Sequence, residues 1–459
     1  MLHNHPRRLF FGTTLIAVAA ACALIVAFVP SSVTGATPAG HKPTHHPPSG
    51  CSASPAISSA LAGTVDSQTV NLYTLSNCNG MVVNILNYGG IIQSIDSPDA
   101  AGQVADVALG YPTLADYVEC NSDANYNDPN GLGTYFGALI GRYANRIANG
   151  QFTLKGVIYN VPLNNDLTDA NSTPIGGASL HGGYVGFDQQ VWTATVVPPT
   201  GSGPTASVGL QLSYLSPNAS EGYPGNLSTT ATYTLNNQNQ LQLTFNATTD
   251  MATVVNLTNH TYWNLAGEAS GPVYNQTLYI NADYYMPVSS IQVPICPSGN
   301  PCSSGPMAPV VNTPFDFTTA KPIGQDISDP NAQLESGHGY DNNWVLNQTS
   351  TGSLTEAAQA VDPGSGRTLT VYTDQPGLQF YSGNYLVGQG AGCDTALTSS
   401  PLPGPSGHCY RQGEGFALET QHYPDSPNEP LYPTTELDPG QTYSQTTIFQ
   451  LSNLGSTAR

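Results

Sequence analysis

Ser207–Tyr214 reads SVGLQLSY and Asn239–Asn246 reads NQLQLTFN. In both, apolar and polar residues alternate one for one. Successive side chains of an extended chain point to opposite faces, so such a run buries one face and wets the other only as a β-strand. Tyr443–Leu451 (YSQTTIFQL) belongs with them, and turn residues separate runs of this kind along the chain. No useful stretch beyond the N-terminus shows the helical period. Short alternating runs at close spacing predict an all-β sandwich or barrel. The lack of a fixed-period repeat argues against a propeller. No break in composition divides residues 63–455, which are read as one large domain.

Outside that domain the character changes. HPRRLFFG provides a basic start, Phe10–Val29 carries no charge over twenty residues, and SSVTGA ends in small residues. Residues 1–36 have the layout of an export signal ending at Ala36, with Arg7-Arg8 loosely fitting a twin-arginine signal. The same apolar run is long enough to stay as a single membrane anchor. The expected location is secreted or periplasmic, with anchoring through this segment as the alternative. Residues 37–62 are rich in Pro, Gly, Ser and Ala and are read as a linker. The HKPTHH within them is a solvated tail more readily than a metal site.

Leaving out Arg7 and Arg8, eight Lys and Arg stand against thirty Asp and Glu, a net charge of −22. Nucleic acid and anionic membrane surfaces are poor partners for such a chain, because little could neutralise their phosphates. The abundance of Asn, Thr, Ser, Gly and Tyr suits hydrogen bonding to a neutral, hydroxyl-rich small molecule. Seven cysteines follow Cys22: Cys51, Cys78, Cys120, Cys296, Cys302, Cys393 and Cys409. None forms a C-x-x-C pair, so no metal site is expected. In an oxidising compartment Cys296–Cys302 and Cys393–Cys409 could each staple a loop, and the odd number leaves at least one thiol over. Three stretches read as long loops: Asn164–Ser179, Pro294–Pro309 and Val387–Gly413.

Chemistry-bearing residues concentrate in a few segments. NLTNHTYWNLAGE (Asn256–Glu268) contains His260, one of five histidines beyond residue 46. As a strand it would set Asn256, Thr258, His260, Tyr262 and Asn264 on a polar face, and a largely apolar face opposite. FGALIGRYANRIANGQF (Phe136–Phe152) holds Arg142 and Arg146 among small residues. There a guanidinium could present several N–H donors to a hydroxyl or carboxylate. In SLHGGYVGFDQQVW, two glycines after His181 permit a tight backbone that exposes the imidazole. FALETQHYPDSPNEP places Glu419 inside an uncharged strand-like run, where burial would raise its pKa and suit it as a general base. Asp341 in HGYDNNWVL and Gln379 in LQFYSGNYL are weaker signals. A structural histidine or an edge-strand glutamate explains each residue singly. Together they suggest a histidine–glutamate acid–base pair in a pocket of neutral donors and acceptors.

These segments, in this order, resemble the signature segments of the aldose 1-epimerases, the galactose mutarotases. YPTTELDPGQTYSQTTIFQL is similar to that family's C-terminal strand pair, and the resemblance runs from NYGGIIQSI at Asn87 to Leu451. It implies a large antiparallel β-sandwich of the galactose mutarotase type with its site in a cleft on one broad sheet. It also implies that His260 protonates the ring oxygen of a free aldose such as glucose or galactose, while Glu419 takes the proton from the C1 hydroxyl. Asn145, Arg146, His181, Asp341 and Gln379 would hold the sugar hydroxyls, and no cofactor is called for. Ordinary pKa values of about 4.3 for glutamate and about 6.5 for histidine suit this division near neutral pH.

Three rival readings are weighed. A sugar-binding protein has no need of both His260 and Glu419. A glycoside hydrolase normally uses two carboxylates. A sugar-phosphate epimerase would find few basic partners for its phosphate. The sequence leaves the preferred aldose, the oligomeric state and the use of its N-x-S/T sequons open.

Overall fold

The computed structural model describes residues 54–121, 133–168, 174–296, 305–348, 352–386, 406 and 408–453. The readings of residues 1–36 and the partners Cys302 and Cys393 lie outside them, as does most of the Val387–Gly413 loop.

Among the described residues the three alternating runs become strands of one nine-stranded sheet. Ser207–Ser216, Leu227–Asn236, Gln240–Thr249 and Tyr443–Asn453 lie side by side in it, each antiparallel to the next. Arg367–Thr373, Thr355–Val361, Thr277–Ile280 and Lys321–Pro322 continue it on one side, and Thr193–Thr200 forms the other edge. Leu210, Leu212, Tyr233, Leu243, Phe245 and Phe449 point inward and are buried. Each contributes roughly 1.5–3 kcal/mol by leaving water. The outward positions carry Thr and Gln, as in the cross-strand pair Thr244 and Thr446.

Two further antiparallel sheets cover the inner face. One has five strands: Ala56–Val65, Gln68–Ser76, Val82–Leu86, Ile92–Pro98 and Val104–Asp106. The other has six, in the order Tyr262–Trp263, Phe416–Gln421, Gly377–Tyr381, Asp341–Val345, Tyr284–Met286 and Ala308–Pro309. A single apolar core joins all three sheets. Trp263 meets Phe449 across it with ring centroids 5.3 Å apart. This is the expected antiparallel sandwich. Among the described residues α-helix is confined to the short Leu114–Cys120 and Ala332–Gly337, with a few single 3₁₀ turns, so no described helix is long and apolar enough to cross a membrane.

Three expectations are corrected. The stretch read as a linker ends earlier, because the Ala56–Val65 strand already pairs with Gln68–Ser76. Its side chains are mostly exposed, so backbone hydrogen bonds and not buried apolar surface hold it in place. Asn164–Ser179 is not a loop: Asn165–Thr168 and Pro174–Leu180 form a hairpin whose second strand pairs with Arg146–Ala148. Asn256–Glu268 is not one strand with a polar and an apolar face. Thr258–Asn259 pairs with Leu139–Ile140, Tyr262–Trp263 pairs with Phe416–Ala417, and both sides of the segment are buried.

The asparagines of that segment have a structural cause. Irregular buried backbone leaves carbonyls without ladder partners, and those need donors. Asn256 Nδ2 donates to Ala144 O, Asn259 Nδ2 to Gly137 O, and Asn264 Nδ2 to Glu414 O, at 2.8–3.0 Å. The side-chain amides thus bind the segment to the chain on either side and leave His260 held between two sheets.

Candidate active site

The six-stranded sheet alternates like the others, but both of its faces are covered. Phe416 and Leu418, with Leu378, Phe380 and Trp344 on the neighbouring strands, enter the core. The residues between them therefore face away from it. Register then places Asn343 opposite Gln379 and Gln379 opposite Glu419, a polar row across three strands. The adjoining Tyr262–Trp263 strand pairs with Ala417 and Phe416, and His260, two residues before Tyr262, arrives beside Glu419. His260 Nε2 lies 3.5 Å from Glu419 Oε1, with both side chains almost fully buried.

The other expected residues gather around this pair. Arg146 donates from Nε to Asn165 Oδ1 at 3.0 Å, and its Nη2 lies 3.9 Å from Asp341 Oδ2. Gln379 Nε2 donates to Asp341 Oδ1 at 2.7 Å. Asn145 has a positive φ of 62°, and its N–H donates to His181 Nδ1 at 3.2 Å. The His181 ring meets the His260 ring at right angles, with centroids 5.3 Å apart. The glycine after His181 is required because a Cβ at Gly182 would stand 2.1 Å from Gly141 O. The tight turn does not expose the imidazole as expected: His181 is turned inward and buried.

Arg142 separates from Arg146. Its guanidinium is buried and donates to Pro224 O, Gly225 O, Ser216 O and Oγ, and Pro217 O at 2.7–3.1 Å. Burial lowers its pKa to about 10. It is a structural clamp and not part of the pocket. Two aromatic residues that were not singled out from the sequence belong to the site. Tyr135 packs on His181 at 4.7 Å and on His260 at 5.8 Å, and Tyr262 packs on His260 at 5.0 Å between centroids. Tyr135 adjoins the Phe136–Phe152 segment and Tyr262 follows His260 by two residues, but tyrosine is common in this chain and its type alone does not mark either.

Burial sets the charge states. Desolvation pushes His260 down to about 4. It also lowers His181 well below the usual histidine range, with His260 and Arg146 adding to the effect. Desolvation raises Glu419 well above the usual carboxylate range, Asp341 adds to this, and Arg146 opposes it. These directions reverse the simple picture of a charged glutamate beside a charged histidine. Burial disfavours charge on both groups, so a proton shared by the pair resides preferentially on the carboxyl group.

Ligand atoms of His181, His260 and Glu419 lie within 4.8 Å of one another, a spacing a divalent ion could bridge. The hydrogen bonding of His181 opposes that use. Its Nδ1 accepts the Asn145 N–H, so the neutral ring carries its proton on Nε2. One nitrogen is taken up and the other is a donor. A metal-bound histidine normally donates from its second nitrogen instead. The cluster is better suited to donating to an oxygen. His260 Nδ1, Glu419 Oε2 and Gln379 Oε1 are also buried without a hydrogen-bond partner in the protein.

A family model for aldose 1-epimerase matches residues 71–450. The chain belongs to the aldose 1-epimerase family. Galactose mutarotase of Rattus norvegicus is 37% identical to it over 370 residues, covering 81% of this chain and 91% of that one. Aldose 1-epimerase of Escherichia coli (strain K12) is 35% identical over 387 residues, covering 84% and 96%. The solved structure of galactose 1-epimerase from Lactobacillus acidophilus NCFM covers 87% of this chain and 99% of its own with a TM-score of 0.66, at 25% identity. Membership of this family makes the protein an isomerase acting on sugars.

Proposed function

We propose that this protein interconverts the α and β anomers of free aldoses, glucose and galactose among them, with His260 and Glu419 as the acid–base pair. The observation that carries this reading is the buried contact of His260 Nε2 with Glu419 Oε1 at 3.5 Å, in register on one sheet face and ringed by Arg146, His181, Asp341 and Gln379. Glu419 accepts the proton of the C1 hydroxyl while His260 gives one to the ring oxygen. The C1–ring oxygen bond breaks and the C1 carbonyl forms. Rotation about C1–C2 and the reverse transfers close the ring from the other face.

Proton counting supports these roles. Before the step the pair is Glu419 carboxylate with His260 imidazolium; after it, Glu419 carboxylic acid with neutral His260. Both states hold one proton, so the pair passes protons to and from the sugar with no net uptake or release. Because burial favours the second state, forming the charged first state is part of the barrier. Arg146 and His181 Nε2–H are donors, and Asp341 is an acceptor, for the sugar hydroxyls.

Polarimetry of freshly dissolved α-D-glucose and α-D-galactose tests the reading. Wild type should speed the approach to anomeric equilibrium. His260→Ala and Glu419→Gln should each lose roughly 10²–10⁴ of that acceleration. A folded wild type with no effect on either sugar would overturn it. Release of monosaccharide from disaccharides would indicate the hydrolase reading instead. We also propose export of the protein, tested by N-terminal sequencing of the extracellular form, which should begin at Thr37.

A further inference from the structure

Beside the polar row lies a second group of amides that the reaction above does not use. Asn343 and Gln421 are 1% and 0% exposed. Neither Nδ2 nor Oδ1 of Asn343, and neither Nε2 nor Oε1 of Gln421, has a hydrogen-bond partner among the described residues. Asn343 is the cross-strand neighbour of Gln379, and Gln421 lies two residues beyond Glu419 on the same face. Between them stands Gly377, paired with Gln421. A Cβ on Gly377 would come within 2.6 Å of Asn343 Oδ1, so the carboxamide leans over the glycine toward the Gln421 strand. Met286, Val345, Tyr423 and Tyr432 close this end of the face.

Together with Glu419 Oε2 and Gln379 Oε1, six buried polar atoms on this face have no hydrogen-bond partner among the described residues. Buried donors and acceptors are almost always satisfied, because leaving them bare costs as much as a lost hydrogen bond or more. A water with two to four polar neighbours meets the need. We propose that Asn343 and Gln421 are positioning residues that hold ordered water against Glu419 Oε2 and Gln379 Oε1, fixing the carboxylate for proton transfer. This rests on Glu419 acting as the base.

The water donates to the charged carboxylate, so removing it should disfavour that form. The other groups near Glu419 are His260 and Tyr262 from the Asn256–Glu268 segment, Asp341, Arg146 and His181, with Tyr381 beside Asp341 and Arg146, and all of them stay in place. Asn343→Leu fills the space with an apolar group. It should cut kcat about tenfold to a hundredfold, leave KM within about twofold, and move the alkaline limb of the kcat profile to higher pH. Asn343→Ala leaves room for a second water and should keep more of the rate than Asn343→Leu. A merely structural amide predicts the opposite order, because alanine leaves the larger cavity. Gln421→Leu provides the same test if Asn343→Leu fails to fold.

A crystal structure of sugar-free wild type provides a readout independent of activity. Water peaks within hydrogen-bonding distance of Asn343 or Gln421 and of Glu419 support the proposal. Their absence overturns it, as does a galactose complex in which the sugar bonds these amides directly. Unchanged kcat and an unmoved alkaline limb in folded Asn343→Leu also overturn it. Failure of wild type to catalyse mutarotation would instead remove the function, whatever the water shows.

Discussion

Glu419 and His260 carry opposite burial penalties, and the pH dependence of the reaction follows from them. Lowering the pH below about 4 puts a second proton on the pair through His260, and no base remains. Raising it through the elevated Glu419 value removes the last proton, and no acid remains. Plots of kcat against pH should therefore be bell-shaped, with an acid limb near 4 and an alkaline limb well above the ordinary carboxylate range. An acid limb near 6.5 would mean that His260 titrates as an exposed histidine does. Arg142 belongs to the same scale but to stability. Arg142→Ala would strand four buried carbonyls. It should cost about 3 kcal/mol or more in urea unfolding, with KM for galactose little changed in whatever folds. A large rise in KM would put Arg142 in the pocket.

Among the elements, the hairpin of Asn165–Thr168 and Pro174–Leu180 decides where the second imidazole sits. Its last residue precedes His181, and Asn164 anchors it through Oδ1 to Leu180 N–H and through Nδ2 to Leu180 O and Gly183 O at 2.8–3.0 Å. Gly182→Ala would drive a Cβ into Gly141 O and displace this turn. The variant should raise KM about tenfold or more while His260 and Glu419 stay in register. Normal KM would mean the turn absorbs the methyl group. Two elements depart from what their local sequence suggests. Gly, Asn and Ser across Asn164–Ser179 suggested a loop, whereas its strands are held by pairing with Arg146–Ala148. Asn256–Glu268 alternates, yet its asparagines serve buried carbonyls and do not face water. In both cases a distant partner overrode local preference.

For the whole molecule, one core shared by three sheets makes the site rigid, since its residues come from segments as distant in sequence as Asn145 and Glu419. Cys78, Cys296 and Cys409 are disulfide-bonded. None of the three bonded cysteines lies among the site residues. A thiol reductant should therefore lower the thermal midpoint, each lost bridge costing about 2–4 kcal/mol. It should leave kcat at 25 °C within about twofold. Scanning calorimetry with a parallel polarimetric assay checks this. Loss of activity before unfolding would show that a bridge supports the pocket.

By itself the sequence determined that the chain is an all-β sandwich or barrel, because alternation in Ser207–Tyr214 and Asn239–Asn246 is a local property that survives in any fold burying one face, and the family resemblance narrowed this to a sandwich. It also singled out His260, Glu419, Arg146 and their companions, since motif order does not depend on knowing where each side chain points. Only the tertiary structure separated Arg142 from Arg146, turned His181 inward, and brought Tyr135 against both histidines. It alone set the direction in which His260 and Glu419 shift. The reason is that solvation and field at a buried group come from residues hundreds of positions away, and no window of sequence contains them.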